Sequence, residues 1–144
     1  MNDLKFTKTK FGTKITRKHS PLKLELKNCK VIYRINKENT KTWNIGISVQ
    51  DDVRDLIRDI DLKAKSNSET ENFLYSNCDG VLKVKIPFRY NKFECEFRDD
   101  SGNLIVSSDI IENDYISLNV ECSMWSINNV CGLTWQTKLI KKIV

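Results

Sequence analysis

From Leu22 onward, apolar and polar residues alternate with a period of two over most of the chain, and this rhythm constrains the fold more than any motif does. Leu22, Leu24 and Leu26 alternate with Lys23, Glu25 and Lys27, then Val31, Tyr33 and Ile35 with Ile32 and Arg34, then Trp43, Ile45, Ile47 and Val49 with Asn44, Gly46 and Ser48. Successive strand side chains point to opposite faces, so each run reads as a strand. Leu82, Val84, Ile86, Phe88 and Tyr90 share one face of the next run, opposite Val81, Lys83, Lys85, Pro87 and Arg89. Pro87 cannot donate to a ladder, so the strand ends, bulges or lies at an edge there. Phe93, Cys95 and Phe97 lead through the Asp99–Asn103 turn to Leu104 and Val106 as a hairpin. Tyr115–Ile127 and a run from Leu133 almost to the carboxyl end, joined by Asn128-Asn129, make the last two strands.

Only Asp51–Asp61 changes period, placing Val53, Leu56, Ile57 and Ile60 on one face of an amphipathic helix with acids in its first turn. Its outer face of Arg54, Asp55, Arg58 and Asp59 reads as solvated. Residues 65–79 have no clean period and read as a surface loop. About eight strands, one helix and no βαβ rhythm give a mostly β (α+β) class. Exposed edges aggregate, so the expected architecture is an antiparallel, closed or partly open barrel. The 144 residues divide into a basic amino-terminal arm, 1–20, and one β-rich domain, 21–144. Phe6, Phe11 and Ile15 are out of place in a pure tail and suit an arm that orders against the domain or a ligand.

Charge is split along the chain. Met1–Thr42 holds twelve Lys/Arg and three Asp/Glu, a net of +9, whereas the remainder holds twelve against sixteen, a net of −4. Cations concentrated at one end point to a polyanionic partner. No apolar run reaches the roughly 18 residues of a membrane span, which predicts a soluble, cytoplasmic protein without a membrane partner. Abundant Lys, Asn and Ile with scarce Gly, Ala and Pro suit an AT-rich genome of the kind common in large DNA viruses.

Catalytic patterns are missing. The single histidine, His19, sits among lysines, so a Ser/His/Asp or Cys/His centre has one possible base. Asp51-Asp52 opens a helix and Asp99-Asp100 a turn. No GxxxxGK[ST] or GxGxxG supplies a phosphate cradle. The five cysteines form no CxxC and read as free thiols in a reducing compartment. The expectation is a non-enzyme without metal or cofactor.

Basic residues interleaved with aromatics are the one constellation with a consistent meaning: cations neutralise phosphates and rings stack on unpaired bases. The candidates are Lys8, Lys10, Lys14, Arg17 and Lys18 in the arm; Arg34, Lys41 and Trp43; Lys83, Lys85, Arg89, Tyr90 and Lys92; and Lys138. Competing structural readings stand beside them. Trp43, Trp125 and Trp135 fall on apolar alternation and suit a core, Phe88 and Phe97 share a face with aliphatic residues, and Lys83 and Lys85 suit the wet face of a half-buried strand.

The closing segment Met124–Lys138, with Gly132-Leu133-Thr134-Trp135 opening its second strand, resembles the final strand pair of single-stranded-DNA-binding proteins of phages and large DNA viruses. The resemblance implies an OB-like barrel with extra strands, and sequence-tolerant binding of single strands, DNA in preference to RNA, in a basic groove. The alternative reading is a viral assembly component whose basic arm reaches a neighbouring copy in a homo-oligomer.

Overall fold

The computed structural model describes residues 3–10, 12–38, 42–70, 72–78 and 80–143, the side chain of Cys78 apart. Strands β1 (Leu4–Thr9), β2 (Gly12–Arg17), β3 (Ser20–Pro21), β4 (Lys23–Glu38) and β5 (Thr42–Ser48) precede helix α1 (Asp51–Ser66). Strands β6 (Asn72–Leu74), β7 (Asn77–Cys78), β8 (Val81–Ile86), β9 (Phe88–Arg89), β10 (Lys92–Phe93), β11 (Glu96–Arg98), β12 (Tyr115–Ile127) and β13 (Val130–Ile143) follow.

Hydrogen bonding runs in the order β12-β4-β5-β8-β13, and β13 pairs back with β12, so the path returns to its start. One row of partners traces the circuit: Asn36 on β4 leads through Asn44, Lys85, Gln136 and Glu121 to Lys23, again on β4. A single strand can serve both ends because β4 is 16 residues long and its pairing with β5 shifts register after Val31 and again after Tyr33. Such irregularities bend and twist a strand. The break in alternation between Leu26 and Val31 therefore separates two halves of one strand, with Asn28 at positive φ absorbing the phase change.

The sheet departs from the antiparallel expectation. β13 runs parallel to β6, β8 and β11. Alternation assigns a residue to a face and leaves the direction of its neighbour open, and the long excursion from β8 to β13 permits a parallel pairing.

Inside the circuit, Val31, Ile45, Ile47, Leu82, Val84 and Trp135 are fully or almost fully buried. Helix α1 adds Ile57, Ile60 and Ala64 to this core. The helix runs five residues beyond the predicted Asp61, because Ala64 continues the apolar stripe, and it stops where the Asn67 side chain donates to the Lys63 carbonyl at 2.9 Å. The stretch read as a loop is partly strand: β6 pairs with the start of β13, and β7 with β8.

Strands β1 and β2 pair antiparallel, and β2 pairs with β12 through Lys14↔Ser123 and Thr13↔Met124. Ile15 is 2% exposed and Leu4 and Phe6 pack against the core; Phe11 lies outside the described residues. Cys29, Cys122 and Cys131 are buried free thiols and Cys95 is half-buried. Burial pushes the Cys29 thiol up to about 11 and Cys95 to about 12, which suits packing and not reactivity. Among the described residues no helix is long and apolar enough to cross a membrane.

Candidate nucleic-acid interface

The outer face of β5 and β8 carries a row that the alternation alone did not single out. Ile45, Ile47, Leu82 and Val84 point inward, so Asn44, Gly46, Lys83 and Lys85 share the opposite face, on which Asn44 and Gly46 are covered, Lys85 is half-buried and Lys83 is exposed. Gly46 pairs with Tyr33 on one side and Lys83 on the other. A Cβ on Gly46 would fall 2.1 Å from Tyr33 Cε1 and 2.5 Å from Cδ1 and Cζ. The tyrosine ring therefore occupies the space a side chain at position 46 would take, half-buried on the sheet and beside a lysine. A glycine inside a strand marks this kind of close approach, and Gly46 amid Trp43–Val49 was the signal available in the sequence. Burial raises the Tyr33 hydroxyl pKa, with Lys83 opposing the shift.

Next to that row stand Asn44, Lys85 and Gln136, paired across three strands. Lys85 has no ion partner among the described residues, whereas Lys83 is held by Glu38, whose carboxylate also accepts from Asn44 Nδ2 at 3.3 Å. Lys85 is thus the cation on this face with its charge uncommitted.

Beyond Pro87 the chain makes the tight β9–β10 hairpin, with Phe88↔Phe93 and Arg89↔Lys92 as its pairs. Tyr90 and Asn91 form the two-residue turn with φ of 54° and 62°, the left-handed pair that matches the twist of such a hairpin. A bulky residue is rare in that conformation. Tyr90 is nonetheless 85% exposed at the tip, between Arg89 and Lys92. The base of the hairpin is anchored by rings: Phe93 meets Trp43 at 5.1 Å, Phe88 at 5.1 Å and Phe97 at 5.7 Å between centroids, all steeply tilted. Trp43 is half-buried in this cluster and Phe88, read as core, is 39% exposed. Its place on a hairpin outside β8 explains the difference.

The remaining candidates are dispersed. Arg34 is taken up by Glu112 at 2.7 Å, and the guanidinium holds that carboxyl down to about 2. Arg17 pairs with Asp3 at 3.1 Å, Lys8 with Glu69, and Arg89 with Glu94 at 3.5 Å. Lys10 is exposed beside the β1–β2 turn, and Lys18 is exposed at positive φ. Lys14 stands beside Ser123, whose β13 partner Thr134 lies two residues from the Gln136 that pairs with Lys85, so Lys14 and Lys85 are three strands apart and in different rows. Lys138 shares a cleft of about 490 Å³ with Lys23, Glu25 and Glu121, a wall of mixed sign. Lys41 lies outside the described residues. Trp135 is in the core, donating from Nε1 to Ser76 at 2.8 Å. Among the described residues no cluster of three His, Cys, Asp or Glu could hold a metal ion.

No protein-family model matches this sequence, and no curated protein matches it significantly. Solved structures do. The single-stranded DNA-binding protein from bacteriophage Enc34 superposes with a TM-score of 0.60 at 12% identity, covering 96% of this chain and 89% of that one. The fold is that of phage single-stranded-DNA-binding proteins. Its carboxyl-terminally truncated form gives the same TM-score with 94% of that chain covered. The T7 protein gp2.5, a single-stranded DNA-binding protein, follows at 0.52, 11% identity, and 86% and 87% coverage. The resemblance read from the closing strands thus extends over nearly the whole chain, as a likeness of fold.

Proposed function

We propose that this chain is a non-enzymatic single-stranded-DNA-binding protein of viral or phage replication, acting in the host cytoplasm, and that the closed strand circuit is an OB-type barrel with added strands. OB barrels present the face of their second and third strands to oligonucleotides, which here correspond to β5 and β8. The observation that carries the reading is Tyr33 seated on Gly46 beside Lys83 and Lys85 on that face. Bases stack on Tyr33 and on Tyr90 at the hairpin tip, while Lys85, Lys92 and Lys14 meet phosphates. DNA is favoured over RNA because the similar structures are those of DNA-binding proteins. The assembly alternative has less support, since the basic β1–β2 strand pair packs on its own chain through Ile15.

Fluorescence anisotropy of a labelled single-stranded oligonucleotide tests the reading. Affinity should fall linearly on a log–log plot as salt rises, with a slope set by the number of phosphates neutralised. Absence of binding at low salt overturns it.

A further inference from the structure

A second cleft, of about 580 Å³, lies between α1 and the turn before β8, with Arg54, Arg58, Asp61, Tyr75 and Asn77 in its walls. Its volume falls in the range of small-molecule sites. The β9–β10 hairpin follows the far end of β8, so the cleft and the hairpin tip belong to opposite ends of that strand.

Its lining is of mixed sign, Arg54 and Arg58 with Asp55 and Asp61, and Lys65 stands beside it against Tyr75. Arg54, Arg58 and Lys65 are spaced four and seven residues apart, which aligns them on one stripe of the helix. Arg54 is tied to Asp51 at 2.9 Å, but Arg58 has no hydrogen-bond or ion partner among the described residues. Lys65 Nζ stands 3.3 Å from Tyr75 Oη and 5.7 Å from its ring centroid. Two acids also line or flank the cleft. Asp55 sits at the rim on the helix, and Asp61 is spent on Ser76, accepting its backbone N–H at 3.0 Å and its hydroxyl at 2.7 Å. Tyr75 is 48% exposed and braced edge-on by Phe73 at 5.5 Å. Asn77 closes the wall, its side-chain oxygen buried and without a hydrogen-bond partner among the described residues.

We propose that this cleft binds a nucleotide, with its phosphate on Arg58 and Lys65 and its base on the Tyr75 ring. A guanidinium and an ammonium suit the phosphate, and a half-exposed ring on a rigid brace suits a base of any identity. The site is separate from the β5–β8 face and does not depend on it.

The test is amide and indole NMR of the full ¹⁵N-labelled chain titrated with deoxyadenosine monophosphate, with deoxyadenosine and inorganic phosphate as separate probes. Saturable shifts at Ser76, Gly80 and the Trp135 indole N–H are expected from the nucleotide. Arg58→Gln and Tyr75→Ala, both exposed positions whose spectra report directly on folding, should each weaken binding at least fivefold, and Lys85→Ala should leave it unchanged. No shift at about 10 mM nucleotide, well above ordinary weak affinities, overturns the proposal. So do equal shifts from inorganic phosphate alone, or unaltered binding in both cleft variants. A chain that takes the nucleotide in the cleft but no oligonucleotide keeps this site and loses the reading of the β5–β8 face.

Discussion

The β1–β2 strand pair and the β8 region both carry several candidate cations, and they differ in what surrounds those charges. In the strand pair, Lys8 and Arg17 are matched by Glu69 and Asp3, and the apolar residues Leu4, Phe6 and Ile15 are turned into the core. Around β8, the lysines accompany rings that stay reachable: Tyr33 lies on Gly46 and Tyr90 projects from a braced turn. Charge density marks a polyanion partner, whereas charge beside a presented ring marks where bases rest. On the proposed reading, the +9 of the first 42 residues acts as a steering field more than as a site.

The largest expected effect sharpens that contrast. Tyr33→Ala and Tyr90→Ala should each weaken oligonucleotide binding by about 1–3 kcal/mol, roughly 5- to 150-fold. The slope against salt should stay unchanged, because no phosphate contact is lost. Gly46→Ala comes next. Its Cβ displaces the Tyr33 ring, so binding should fall about as far as in Tyr33→Ala, and the double variant should show no further loss. Overpacking should also cost roughly 1–3 kcal/mol of stability in a urea melt. Full additivity of the two substitutions would break the link between Gly46 and the ring.

Smaller effects separate the lysines. Lys85→Ala should reduce the salt slope by about one and weaken binding evenly across sequences, while Lys8→Ala, whose charge already faces Glu69, should change it less. Equal slopes for the two would erase the distinction between committed and uncommitted cations. Smallest is an acid effect. Arg34 holds Glu112 at about 2, below its unfolded value near 4.3. The pair's contribution is therefore complete above about pH 4.5 and is lost as pH falls towards 2. An Arg34→Ala variant should lose less stability than the parent across that window, read by circular dichroism.

Strand existence and facing were legible because burial on one side imposes a period of two: Tyr115–Ile127 was read with the bounds β12 has. Direction and continuity were not. A bulge such as that near Asn28 looks like a turn in a one-dimensional pattern, and the parallel pairing of β13 leaves no local trace. Among the candidate side chains, Lys85 was readable from alternation, whereas Tyr90, read on one strand face with Leu82 and Val84, stands at a hairpin tip that the alternation did not announce. Tyr33 was missed because its partner is a glycine 13 positions away, so its exposure depends on a side chain that is not there. The ion pairs that occupy Arg34 and Lys83 join residues 78 and 45 positions apart, and no local pattern announces such partners.

The most direct test asks where a strand touches the chain. Photocrosslinking of an oligonucleotide bearing iodinated deoxyuridine, followed by mass spectrometry of the peptides, should place crosslinks at Tyr33 and Tyr90. Crosslinks confined to residues 3–18, with none on β4 or the β9–β10 turn, would contradict the account.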